Sequence, residues 1–294
     1  MVKPGCTQGR FTTAAALFFR ADTSGKMAEI EALVRSTIGR VLHDADAEGY
    51  FSRVAAAGTV LGDAEKANIS AFITGLKAMG AWDGLVDAWL LRSTQNVGTG
   101  STVIGLKSLN GTLVNGPTWG ADGMRSSGSA SEVLVDANLN AGSFGAFTLF
   151  TCHAGLTGGA HGGFSADDIY TPWWSLSHNW YGQAQSGFGV LNTSAGWVSA
   201  AVTNAPAYNH TGFQTNQFNL GAAFTARHQG LLGQWPVQGG NMAAPFNATP
   251  NMDLHLGNYQ GSGFKYAFVA LFRTEAPDLH ALYRDTIGQG LSLP

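Results

Sequence analysis

Two neighbouring runs, Met252-Asp-Leu-His-Leu-Gly-Asn-Tyr-Gln260 and Phe264-Lys-Tyr-Ala-Phe-Val-Ala-Leu-Phe272, decide the fold. In the first, Met252, Leu254 and Leu256 alternate with Asp253, His255 and Gly257, the period of a strand with one apolar and one polar face. The second is apolar at nearly every position, as in a central strand covered on both sides. Gly261-Ser-Gly263 supplies the connection. After Pro277 the spacing changes: Leu279, Leu282 and Tyr283 fall three and four apart, which predicts a short closing helix against a sheet.

In that order, Leu254-His-Leu-Gly-Asn258 and Leu279-His-Ala-Leu-Tyr283 resemble the C-terminal end of concanavalin A-like or laminin-G-like jelly rolls. Upstream, Leu106-Lys-Ser-Leu-Asn-Gly-Thr-Leu-Val-Asn-Gly-Pro-Thr-Trp119 resembles the junction into such a domain in tailed-bacteriophage virion structural proteins, and 46–91 resembles its helical lead-in. The resemblance spans about residues 46–290 and is weakest over 156–219; its motifs mark fold and lineage and bring no catalytic residue with them. It implies a mainly β fold, an antiparallel jelly-roll β-sandwich with an N-terminal helical region. The expected division is an arm at 1–25, a helical attachment region at 26–95 and the jelly roll at 96–294.

Composition narrows the function. Apolar residues make up 45% of the 294, enough for a substantial core. Glycine is frequent (40 residues) and charge sparse at 12%, against about 25% in ordinary domains. A neutral exterior suits a surface covered by partners, and a glycine-rich all-β chain lowers charge density by itself; both readings stand. A net charge of −3 without a Lys/Arg cluster argues against nucleic acid. Ala14-Ala-Ala-Leu-Phe-Phe19 is far shorter than the roughly 20 residues of a spanning helix, and with Arg20 following at once it makes a poor signal-peptide core. No membrane association is expected. Cys6 and Cys152 are the only cysteines; placed on different parts of the chain, they predict two free thiols, one in the arm and one in a buried strand.

Helical spacing runs from Met27 to Leu42, from Asp46 to Ala57, and from a cap at Asp63 through Ile69, Phe72, Ile73, Leu76 and Met79 to Gly80. Trp82, Leu85, Val86, Trp89 and Leu90 predict a further short helix. Beyond Thr94, strands are expected at Glu132–Val135, Ala146–Cys152, Gly187–Leu191, Gly196–Thr203, Phe218–Arg227 and Gly233–Val237, with turns at Asn110-Gly111 and Asn115-Gly116.

Jelly rolls host glycosidases, which need two carboxylates about 5–10 Å apart. Past residue 100 the only glutamates are Glu132 and Glu275, and Asp167-Asp168 is the one adjacent acidic pair, so no enzymatic activity, cofactor or metal is expected. His153 and His161 flank Gly155-Leu-Thr-Gly-Gly159; without a third ligand they read as solvated or hydrogen-bonded histidines rather than a metal pair. Gly158–Gly163 lacks the Lys-Ser/Thr ending of a phosphate loop. The densest aromatic stretch is Asp168-Ile-Tyr-Thr-Pro-Trp-Trp-Ser-Leu-Ser-His-Asn-Trp-Tyr181. Trp173, Trp174, Trp180 and Tyr181 are its candidate ligand-binding residues, and three readings remain open: sandwich core, subunit interface, or stacking on a glycan. The expectation is a structural virion component on capsid, tail or fibre, partnered by other virion proteins and assembled as a homo-oligomer, with a trimer expected. The alternative is a carbohydrate-binding receptor-recognition module of a tail protein that meets host-surface glycans.

Overall fold

The computed structural model describes residues 43–125, 132–139, 146–154, 160–165, 174–178, 187–192, 196–201, 212–220, 224–233, 252–257 and 265–294. The chain divides into two compact units, Met1–Leu42 and His43–Pro294, and the described residues all belong to the second. The expected arm at 1–25 and helix at 27–42 therefore lie outside the described residues.

The apolar run read as a central strand is one. β15 (Lys265–Phe272) has seven buried residues and pairs antiparallel with β1 (Leu85–Leu90) on one side and β6 (Phe147–Ala154) on the other. The sheet continues from β6 to β11 (Gln214–Leu220), β12 (Phe224–His228) and β13 (Leu231–Gly233), and the two-residue β4 (Met124–Arg125) also pairs with β15. A second, six-stranded sheet runs in the order β2 (Thr102–Val103), β3 (Gly111–Val114), β5 (Glu132–Leu139), β14 (Met252–Gly257), β7 (Ala160–Ser165), β8 (Trp174–His178). β9 (Gly187–Asn192) and β10 (Gly196–Ala201) form a hairpin. All these strand pairs are antiparallel, and three helices accompany them among the described residues. The coarse expectation, a sheet-dominated antiparallel β-sandwich-type fold with few helices, holds.

The helices cover one face of the seven-stranded sheet. α1 (Ala45–Ala56) starts where Asp44 Oδ1 accepts the Asp46 N–H at 2.9 Å; Asp46 and Glu48 stand in its first turn and Arg53 in its last, matching the helix dipole. α2 (Asp63–Ala78) buries Ile69, Phe72, Ile73 and Leu76 and stops at Gly80, whose φ of 69° a residue with a Cβ rarely adopts. The expected cap, Asp63, is instead the first helical residue; Gly62 holds the cap position, without a side-chain bond. α1, α2 and α3 (His280–Asp285) share one apolar cluster with Leu90, Phe150, Cys152, Phe268 and Ala270 of the sheet. Aromatic contacts fix it: Phe72 meets Phe268 edge-on at 5.4 Å and 84°, and Tyr283 lies tilted at 5.1 Å from Phe268 and 5.5 Å from Phe150.

Two expectations are corrected. Leu85–Leu90 is strand β1, not a helix: all six residues, Asp87 among them, are buried, so both faces are covered, and in such a run the helical spacing of Trp82, Leu85 and Trp89 is coincidental. The single strand expected at Phe218–Arg227 is two, β11 and β12, paired as Leu220 with Phe224 and Asn216 with His228. The strand expected at Gly233–Val237 meets the structure only at Gly233, the end of β13; 234–237 lie outside the described residues.

Asp87 ties the two sheets' strands together. Its carboxylate accepts the N–H groups of Ala88, Lys107, Ser108 and Leu109 at 2.6–2.8 Å, and Trp89 Nε1 donates to Leu109 O at 2.8 Å. β1 of the first sheet thereby holds the segment that leads into β3 of the second. Gly105 belongs to the same turn: a Cβ there would stand 2.1 Å from Leu109 O and 2.7 Å from Asp87 Oδ2, so only glycine fits.

Candidate functional site

Register in the six-stranded sheet sorts its residues onto two faces. At the β2–β3 end, Thr102 pairs with Thr112 and both are exposed, whereas Val103 pairs with Gly111 and both are buried. Strand alternation extends this division across the sheet. On the face of buried Val103 fall Val133, Val135, Leu254, Leu256, Phe164 and Leu176. On the face of exposed Thr112 fall two cross-strand rows, Glu132–Gly257–His161–Ser177 and Leu134–His255–Gly163–Ser175, followed by the pair Asp253–Ser165. The half of this face formed by β14, β7 and β8 is thus composed of histidine, serine, aspartate and glycine.

Of the four aromatic candidates, only Trp174 falls among the described residues. It opens β8, the last strand in the order of its sheet, opposite Phe164 and on the Val103 face. Trp173, Trp180 and Tyr181 lie outside the described residues, as do Asp167 and Asp168. His153 and His161, weighed together in the sequence, stand in different sheets, on β6 and β7. Glu275 is exposed on the segment that follows β15. The two histidine-bearing rows escape a reading along the chain because their members come from four strands; the alternation of Asp253 and His255 with leucines was the available sign.

A second polar group lies within the seven-stranded sheet, on the face away from the helices. Thr151, His153, Asn216 and His228 are buried there. His228 Nδ1 donates to Asn216 Oδ1 at 2.9 Å, Asn216 Nδ2 stands 3.4 Å from His153 Nε2, and His153 Nδ1 stands 3.4 Å from Thr151 Oγ1. With the Asn216 amide as donor, His153 carries its proton on Nδ1. Burial pushes His153 down to about 3 and His228 down to about 4, so both imidazoles are neutral at pH 7. Their packing is structural, in keeping with the hydrogen-bonded reading of His153.

On the helix side, the polar residues of β11 hold the closing segment. Gln217 Nε2 donates to the carbonyls of Ala276 (3.1 Å) and Pro277 (2.8 Å), its Oε1 accepts the Leu279 N–H (3.0 Å), and Thr215 Oγ1 lies 2.6 Å from His280 Nδ1. Cys152 is buried in this layer with its thiol pushed up to about 12, an unreactive structural residue as expected; Cys6 lies outside the described residues. Among the residues with a described environment, no group of three His, Cys, Asp or Glu could hold a metal, and no helix is long and apolar enough to cross a membrane.

No family model and no curated protein matches the chain. Among solved structures it is similar to the Trypanosoma rangeli sialidase, with a TM-score of 0.50 and 14% identity over 70% of this chain and 34% of that one. It is also similar to the receptor binding domain of a botulinum neurotoxin C/D mosaic serotype (TM-score 0.49, 9% identity, 70% of this chain and 52% of that one). A third is a structure of botulinum neurotoxin type C, whose cell entry is dependent upon interaction with two ganglioside molecules (TM-score 0.47, 10% identity, 71% of this chain and 52% of that one). This chain thus spans about a third of the sialidase. At such identity the sialidase likeness concerns the fold, a sheet-rich sandwich type. It overturns the expectation that the chain is not an enzyme: an enzyme carries this fold, so neither the fold nor the scarcity of glutamate pairs excludes catalysis. None of the three is a phage protein.

Proposed function

We propose that this chain is a carbohydrate-recognition module, and that the Thr112 face of the β14–β7–β8 half-sheet is where the sugar docks. The observation that supports this reading most is the composition of that face: Asp253, His255, His161, Ser165, Ser175 and Ser177 occupy adjoining register positions around Gly257 and Gly163. Recognition of a hydroxyl-rich ligand needs many hydrogen-bonding groups held on a rigid support, and glycines between them let a ring approach the sheet. A jelly-roll topology and placement on a tailed-phage particle, where the module would meet host-surface glycans beside other virion proteins, follow from the resemblance in 106–119 and 254–283. The aromatic candidates Trp173, Trp180 and Tyr181 flank β8 in sequence, where stacking on a sugar would add to the polar contacts.

Glycan-array binding by the full chain tests the reading, followed by titration of the best ligand against Asp253→Asn and Ser175→Ala/Ser177→Ala. Saturable binding weakened at least tenfold in both variants, with unchanged melting, is expected. Absence of any glycan ligand, or ligands bound equally by wild type and variants, would overturn it. Mass spectrometry of purified particles tests the placement separately, and absence of the chain from them removes it.

A further inference from the structure

Basic residues are unevenly placed along the chain. Of its 16 Lys and Arg residues, only Arg227 falls between Ser126 and Phe264, the stretch that supplies β5, β14, β7 and β8 and the segments flanking each of them. Arg227 belongs to β12 of the other sheet, where it pairs with Asp278 at 3.6 Å on the helix side. The basic side chains on the connections into β3 and β5 are engaged as well. Lys107 Nζ donates to the carbonyls of Trp82 (2.8 Å) and Leu85 (2.7 Å), and Arg125 Nη2 donates to Asp122 Oδ1 (3.1 Å). Against that single arginine, the stretch holds the carboxylates Glu132, Asp136, Asp167, Asp168 and Asp253. Histidine, with an ordinary value of about 6.5, adds little positive charge at pH 7.5. The imbalance holds whichever way each side chain points, because these strands and their flanks have no Lys or Arg to point.

A carboxylate, sulfate or phosphate that leaves water needs a cation or several N–H donors in place of its hydration. The sheet offers neither. β14 is paired on both edges, with β5 and β7, and β7 is paired with β14 and β8, so their N–H groups are taken up by the ladders. An anionic ligand would meet net negative surroundings instead, an arrangement that rejects by repulsion. The hydroxyls of an uncharged sugar make no such demand, since serine and asparagine both donate and accept and a carboxylate accepts from two hydroxyls.

We infer that the β14–β7–β8 half-sheet selects uncharged saccharides and rejects those carrying a carboxylate, sulfate or phosphate. This selectivity rests on the carbohydrate reading given above and adds to it the charge class of the ligand.

The experiment immobilises matched glycans at pH 7.5: one uncharged oligosaccharide that the full chain binds, the same oligosaccharide with a terminal carboxylate-bearing sugar or a sulfate added, and the methyl ester of the carboxylate form. The uncharged glycan should bind at least tenfold more tightly than either charged form, and the ester, which keeps the bulk and removes the charge, should return to within about threefold of it. Affinity for the uncharged glycan should change less than about twofold between roughly 0.05 and 0.5 M NaCl, because no ion pair is made. Charged forms bound as tightly as the uncharged one, or more tightly, would overturn the selectivity and leave carbohydrate recognition standing. An ester bound as weakly as the free carboxylate would assign the discrimination to size and overturn its electrostatic basis. If no glycan of either class binds, the carbohydrate reading falls and the selectivity with it.

Discussion

His153 and His228 are neutral inside the sheet, and that state has a consequence for stability. Their folded values, about 3 and about 4, lie below the ordinary histidine value of 6.5. In the unfolded chain both imidazoles take up protons as the pH falls through about 6.5, whereas in the folded chain they do not until far lower. Unfolding therefore binds more protons in this window, and stability decreases as pH falls from about 6.5 towards 4. The two groups together should remove roughly 2 kcal/mol between about pH 7 and 5.5. Urea unfolding at the two pH values measures it, and His153→Gln with His228→Gln should flatten the difference; equal stability at both pH values would contradict the neutral assignment. At this scale the sequence was partly legible. The hydrogen-bonded reading of His153 needed only its strand context, but Asn216 as its partner lies 63 residues away and became visible only with the register.

Strands expose both the reach of pattern reading and its failure. β14 and β15 were legible because one alternates and the other is apolar throughout, and each pattern has one geometric reading next to glycine-rich turns. β1 was not, since a short run buried on both faces carries no period that separates strand from helix. β11 was missed over Gln214-Thr-Asn-Gln217 because buried polar residues look like a loop until their partners, the 276–280 segment and His228, are in place. On β8 the period itself becomes a test. Trp174 stands on the face of buried Val103, opposite Phe164, and Ser175 on the face of exposed Thr112. Trp174→Ala is expected to destabilise the fold by about 3–5 kcal/mol, the usual effect of removing a buried large aromatic. Ser175→Ala is expected to change stability by less than about 0.5 kcal/mol. Denaturant unfolding of the pair decides: normal stability of Trp174→Ala with loss of glycan binding would assign Trp174 to stacking and reverse the face assignment.

For the whole molecule, the sparse charge and the apolar stretch Phe11–Phe19 bear on assembly. Only 12% of residues are charged, and Phe11, Leu17, Phe18 and Phe19 crowd into nine positions near the start of the chain. An apolar segment of that density left in water promotes association, and a closed symmetric oligomer is the arrangement that covers it without open-ended growth. A homotrimer is the state we predict. Such a state would also present three copies of the Thr112 face to a surface, and linked weak sites raise avidity by about 10²–10⁴ without any new contact. Light scattering on the purified full chain should give three times the chain mass, and deletion of residues 1–25 should shift the population towards monomer while leaving the melting of the sheets unchanged. In parallel, the trimer should hold a glycan-coated surface far longer than the truncated chain, although both bind a monovalent sugar equally well in solution. A full chain that remains monomeric at all concentrations removes the trimer, and equal residence of the two forms on the coated surface removes its role in avidity.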